Sequence, residues 1–266
     1  MKEIEIHTFS ALHELIETYD ARTVIYRGMK SIKFPLMPKI GRIVPPQSIH
    51  SREANEKEIL RLFKERALRF LDFIPTNDWD WLALGQQYGL PTRLLDWTDN
   101  PLVACYFAVE EPTEDDSVIY VYQNKSYIEV EKYPDPLRYN KVGKFIPKHL
   151  SPRITTQGGL FTIHPKPYEP FEVEDMDKII VPNGIRRTLK KTLNKYGVDR
   201  FSLFPSLDGL AAHIEWLQSK QVCACNDRVA KSWVNKVFDV GLVSWEQLLV
   251  KLSAIERKHE QLYCTL

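Results

Sequence analysis

The stretch from Trp81 to Ala108, "WLALGQQYGLPTRLLDWTDNPLVACYFA", sets polar and charged residues between two apolar runs. Its first part, WLALGQQYG, reads as a short helix closed by Gly89 at the C′ position and stopped by Pro91. Its last part reads as a second helix, with Asp99 or Asn100 as cap and Pro101 at the first helical position. Between Gly89 and Pro101 a polar, constrained passage is expected to join the two helices. It holds the guanidinium of Arg93, the carboxylate of Asp96 and the hydroxyls of Thr92 and Thr98. That is the composition of a binding site. The competing reading, a local Arg93–Asp96 ion pair beside two helix-capping residues, fits the spacing about as well.

Outward from this stretch, TVIYRG (23–28) is a β-branched and aromatic run stopped by glycine, so it predicts a short buried strand with Arg27 at its end. Two arginines delivered in this way suit an anion such as a pyrophosphate, because the planar guanidinium fork matches phosphate oxygens. The four prolines of KFPLMPKIGRIVPPQS break both helix and ladder hydrogen bonding, so this segment is expected to be irregular, a loop over a cleft. IEIHTFSALHELIETYD passes from alternation into a helix capped by Thr8 or Ser10. Residues 52–71 have helical spacing, and SVIYVYQ is a strand. Residues 125–152 read as loop with short strand pieces, and RITTQGGLFTIHP as a strand or turn interrupted at Gly158 and Gly159. A strand over Lys178–Val181 and a helix closed by Gly197 follow, and residues from about 220 read as two added helical segments.

The chain has 266 residues and is 44% hydrophobic, enough to bury a sizeable core. With 36 Lys and Arg against 35 Asp and Glu, it has no global field favouring nucleic acid or membrane. The opening residues carry no signal-peptide core, and no run of about 18 apolar residues is present, so a cytoplasmic chain without a membrane partner is expected. Cys105, Cys223, Cys225 and Cys264 lack a second ligand pair and the histidines lack ligand spacing, so no metal is expected. Neither a Gly-rich phosphate loop nor a G-x-S-x-G elbow occurs.

Four separated motifs in order, YRG (26–28), LALGQQYGLPTRLLDWTDNPLVACYFA (82–108), RITTQGGLF (153–161) and LFPSLDGLA (203–211), resemble the FRG domain family. The resemblance implies an FRG domain over residues 1–219, with its core at about 20–215, and a helical C-terminal extension over 220–266. Gln87 departs from it, since many relatives carry histidine there. A more distant similarity is to ADP-ribosyltransferases of the diphtheria-toxin and poly-ADP-ribose polymerase type, which carry an Arg or His on the first strand, a hydroxyl-bearing motif before an Ala/Tyr-rich helix and a late Glu or Gln; YRG, DWTDNPLVACYFA and TTQGG fall in that order here. It implies an α+β fold, an ADP-ribosyltransferase-like mixed or antiparallel sheet core with flanking helices. It also implies NAD as substrate and a protein or nucleic-acid acceptor, with a role in bacterial conflict or phage defence. Arg27, Thr98 and Gln157 would then be catalytic, and Tyr26, Gly28, Gln87, Tyr88, Thr92, Arg93 and Asp96 would bind the small-molecule nucleotide. The alternative is a non-catalytic module that binds a nucleotide or nucleic acid.

Gln157 can hydrogen-bond a ribose but supplies no charge to an oxocarbenium-like state, for which a carboxylate serves best. Glu172 and Glu174 have Glu-x-Glu spacing and share a face if they lie on a strand, although a solvated strand face is the commoner meaning. Arg186, Arg187, Lys190, Lys191 and Lys195 fall within three turns of one helix, a pattern that suits either nucleic acid or solvent, with solvent favoured. Asp208, His213 and Glu215 are potential ligands or acid–base groups, but local hydrogen bonding is the commoner use of such a histidine.

Overall fold

The computed structural model describes residues 2–48, 51–123, 126–147 and 152–219. Its centre is a mixed sheet whose strands are β1 (Glu3–Glu5), β2 (Val24–Met29), β3 (Leu94–Thr98), β4 (Ser117–Gln123), β5 (Gly143–Phe145), β6 (Gly159–Ile163) and β7 (Met176–Val181). Their order across the sheet is β1-β7-β4-β2-β3-β6-β5, and every neighbouring pair except β1–β7 is antiparallel. The helices are α1 (Phe9–Ile16) after β1, α2 (Arg52–Ala67) and α3 (Asp78–Gln87) after β2, α4 (Pro101–Val109) after β3, α5 (Pro152–Thr156) after β5, and α6 (Asn183–Lys195), α7 (Arg200–Leu203) and α8 (Leu207–Gln218) after β7. The chain therefore has the expected α+β class. It divides into two compact units, Met1–Leu210 and Ala211–Leu266, with the boundary inside α8. The helical extension expected over 220–266 lies outside the described residues.

Period-two alternation sends side chains to two faces. On one face, Val24 and Tyr26 of β2 join Ile119, Val121, Ile179 and Val181 beneath Leu12, the apolar side of α4, and Leu189 and Leu193 of α6. On the same face at the other end of the sheet, Leu94, Phe161 and Ile163 pack under Leu60 of α2 and Trp79 and Leu82 of α3. The opposite face carries Ile25, Leu95, Trp97, Val118, Tyr120 and Leu160, and is closed by Leu36 and Phe171. The proline-rich segment is thus part of this second cover: Phe171 N donates to Leu36 O at 2.7 Å and Ile40 N to Thr92 O at 3.2 Å. It takes no part in the larger cleft described below. Lys33–Leu36 instead border a smaller one of about 180 Å³ with Pro170 and Phe171, while Leu36 and Ile40 are buried at 4% and 1% exposure.

Several local signals are realised directly. Thr8 caps α1 by accepting from Ala11 N, and Asn100 caps α4 ahead of Pro101. Gly89 and Gly197 follow α3 and α6 with φ of 80° and 76°. Other expectations are corrected. The polar passage after Gly89 is not a simple interhelical connection: Leu94–Thr98 is a full central strand paired along its length with β6. Strand β2 continues to Met29, so Arg27 lies inside it and not at its end. RITTQGG forms the short helix α5 and a turn with Gly158 at φ 52°, and only then strand β6. Glu172 and Glu174 precede β7, so strand alternation does not place them on one face.

Candidate functional site

One junction in the sheet is weak. Strands β2 and β4 pair at six positions from Val24 to Met29, whereas β2 and β3 pair only at Tyr26 and Thr98. Beyond that pair the two strands part, and the two helical groups covering this face belong to separate cores, one over β2 and one over β3 and β6. A cleft of about 350 Å³ opens at the junction. Its walls come from Arg27 and Lys30, the end of α3 at Gln86 and Gln87, Asp96 and Thr98 of β3, and the end of α4 at Glu110 and Glu111. Gln157 and Phe204 also contribute.

Arg27 bridges the parted strands. By alternation it belongs with Ile25 and Met29, yet its Nη1 donates to Asp96 O at 2.7 Å and lies 3.3 Å from Asp96 Oδ2. This side-chain bond stands where a ladder bond is missing. Its Nε is buried without a hydrogen-bond partner, a state that costs free energy and is found where a ligand or strain accounts for it. Gly28, next in the strand, lets α4 approach in backbone contact: a Cβ there would lie 1.9 Å from Ala104 O. That approach carries the end of α4 into the cleft wall.

Asp96 is exposed although its neighbours Leu95 and Trp97 are buried. Gln86 Nε2 donates to Asp96 Oδ2 at 2.8 Å, and Thr92 Oγ1 donates to Gln86 Oε1 at 2.6 Å. Thr98 is committed inside the chain: its hydroxyl donates to Gln157 O at 2.6 Å and accepts from Asn100 N at 3.0 Å. The Gln157 amide donates to Leu203 O at 2.9 Å, tying the wall to α7. At the rim, Lys30 pairs with Glu111, and Glu110 with Arg200 and Tyr106. Burial and Glu110 raise the Tyr106 phenol well above its ordinary range.

The cleft therefore brings together Tyr26, Arg27, Gly28, Gln87, Asp96, Thr98 and Gln157 of the residues singled out in the sequence. Tyr88, Thr92 and Arg93 are corrected. Tyr88 follows the last residue of α3 and is 70% exposed outside the cleft. Thr92 is buried behind Gln86 and donates a hydrogen bond to it. Arg93 does not pair with Asp96, because it is buried against Glu56 in a bidentate ion pair, Nε–Oε1 and Nη2–Oε2 both 2.7 Å, with Nη1 on Leu137 O. Lys30, Glu110, Glu111 and Phe204 also line the cleft and were not singled out in the sequence, whereas Phe107 is one of the aromatic residues near the second helix that could stack on a base. The Glu-Glu ending an apolar helix was the available signal for two of them.

On the opposite side of the sheet, His164 Nε2 lies 2.8 Å from Thr162 Oγ1, which also accepts from Trp97 Nε1. Burial, helped by the charge of Arg27, pushes the His164 pKa down to about 3, so the ring is neutral. The basic helix α6 is partly structural: Arg186 is buried and donates to the carbonyls of Lys30, Asp115 and Glu111, and Lys190 to that of Glu110. His213 stacks on Trp216 at 6.1 Å. Among the described residues no group of three or more His, Cys, Asp or Glu converges as a metal site, and no helix is long and apolar enough to cross a membrane.

The arrangement defines a mixed-sheet domain with a cleft, lined by both polar and apolar residues, at a parted strand junction. Residues 22–117 match the FRG domain family. The matched span runs from just before β2 to the first residue of β4, so it includes Arg27, Gln86 and Asp96 but not Gln157 or Phe204. No curated protein and no solved structure matches the chain.

Proposed function

We propose that the chain is an NAD-using, ADP-ribosyltransferase-like enzyme acting on a protein or nucleic-acid acceptor, with the β2–β3 cleft as its NAD site. The observation that carries this reading is the convergence of Arg27, Gln86 and Asp96 in one cleft of about 350 Å³, within the roughly 300–1,000 Å³ of small-molecule sites. Arg27 lines the cleft with a guanidinium suited to a pyrophosphate, although its unpartnered Nε is itself buried. Asp96 offers a carboxylate for ribose hydroxyls. Phe107, Phe161 and Phe204 give an apolar wall against which a flat ring can pack. A role in bacterial conflict or phage defence is part of the proposal and rests on the motif resemblance alone.

A second reading, a module that binds a nucleotide without turning it over, is favoured by one observation. The Thr98 hydroxyl and the Gln157 amide are both spent on backbone carbonyls of the chain itself. Calorimetry with NAD, chromatographic detection of released nicotinamide and mass spectrometry of acceptors separate the two. The enzyme binds NAD and releases nicotinamide, and the module binds without release. A chain that does neither, with protein and nucleic-acid acceptors present, rules out the first reading.

A further inference from the structure

We propose that Asp96, not Gln157, is the group that acts on the ligand, and that Gln86, fixed in turn by Thr92, positions it. The proposal rests on the reading of the cleft as an NAD site.

Asp96 lies on a central strand between two buried neighbours, yet its side chain is 51% exposed on the cleft floor. Both of its side-chain bonds end on Oδ2, from Gln86 Nε2 and Arg27 Nη1. Oδ1 takes none from the described residues. One oxygen is thus clamped and the other left for a ligand. The polarity of the clamp is determined chemically. A carboxylate only accepts, so the amide nitrogen of Gln86 must face Asp96 and Oε1 must face Thr92. The Thr92 hydroxyl donates to that Oε1 while accepting from Leu94 N at 3.1 Å, which makes it a fixed donor just ahead of the strand that carries Asp96. Gln157, by contrast, has its amide turned to Leu203 O and carries no charge.

In the step this predicts, the bond between C1′ of the ribose and the nicotinamide nitrogen breaks, and its electron pair leaves with the nicotinamide, which becomes neutral. Asp96 stabilises the positive charge that develops on the ribose. A water or acceptor hydroxyl oxygen forms the new bond to C1′ and gives its proton to Asp96 Oδ1, which passes it to solvent. Gln86 and Thr92 touch neither reactant and act only by holding the carboxylate.

The test uses the full chain with NAD, reading affinity by calorimetry and nicotinamide release by chromatography. Asp96→Asn is expected to lower kcat by about 10²–10³-fold while NAD affinity changes by less than about threefold. Gln157→Ala should cost less than about tenfold. Gln86→Leu and Thr92→Val should lower kcat by about tenfold with KM and NAD binding stoichiometry little changed, the stoichiometry from the same calorimetry showing that the fraction of folded sites has not fallen. Thr92→Ser should restore the rate. The Gln86→Leu variant keeps the Arg27–Asp96 contact and so decides the matter if Asp96→Asn does not fold. An Asp96→Asn protein that turns over like the native one, or that loses affinity instead of turnover, overturns the proposal and leaves the NAD site standing. A native chain that neither binds NAD nor releases nicotinamide overturns the reading of the site, and this proposal with it.

Discussion

Arg27 and Arg93 look alike in the sequence, each a lone guanidinium beside a β-branched or apolar run, and the fold puts them to opposite uses. Arg93 is enclosed with Glu56, their side chains 6% and 1% exposed, and three of its nitrogens have partners. Arg27 meets Asp96, which is half open to solvent, and keeps an unpartnered nitrogen. A buried, bidentate pair with matched donors is a closed unit that fixes α2 to the strand region. A pair with one short bond, one long contact and a half-exposed carboxylate leaves acceptor capacity facing solvent. Burial and completeness of hydrogen bonding distinguish the two arginines.

The largest effect should follow from opening the closed pair. Glu56→Ala strands a buried guanidinium and is expected to cost about 3–5 kcal/mol, seen as a lowered denaturant midpoint. Arg93→Met combined with Glu56→Leu should recover most of that loss. A cost below about 1 kcal/mol for Glu56→Ala would remove the contrast between the two arginines.

His164 touches both, since its N–H donates to Arg93 O and the charge of Arg27 opposes its protonation. With a folded-state pKa of about 3 against an ordinary 6.5, the unfolded chain binds the extra proton between those values. Stability should therefore be full above about pH 6.5 and fall as pH drops toward 3, with a slope approaching about 1.4 kcal/mol per pH unit. Thermal melts at pH 7 and 4.5 read this, and His164→Asn should flatten the difference whatever its own stability.

Arg27→Ala should cost about 1 kcal/mol, the worth of a hydrogen bond to a carbonyl, while abolishing NAD affinity. Equal losses for Arg27→Ala and Glu56→Ala would make Arg27 another anchor. Smallest of all, Lys30→Ala removes an ion pair whose side chains are 43% and 60% exposed. It should shift stability by less than about 1 kcal/mol, and salt should erase that difference.

Much of the fold was legible because its signals are local. Ser117–Gln123 reads as a strand from its apolar and aromatic run, and Asn100-Pro101 and Gly89 mark helix ends from backbone chemistry alone. Strand β3 was hidden because both Leu94 and Leu95 are buried, one on each face, which erases the alternation that identifies a half-exposed strand. Its five residues lie between Gly89-Leu90-Pro91 and Asp99-Asn100-Pro101, and those turn residues were the remaining cue. That Arg27, the Gln86–Thr98 passage and Gln157 meet in one cleft was legible from the sequence, but their pairing was not. That Arg93 belongs to Glu56, 37 positions earlier, is a long-range pairing no spacing reveals. Lys30, Glu111 and Phe204 reach the cleft only through the packing of their elements.

The single pairing of β2 with β3 has a consequence for how such a domain can diversify. Where strands are laddered along their length, the main chain sets their separation, and altering it means rebuilding the sheet. Here the gap beyond Tyr26 and Thr98 is spanned by the side chain of Arg27. The dimensions of the cavity are therefore written in replaceable residues, and a lineage can refit it to ligands of another size by point substitution while the scaffold stays as it is.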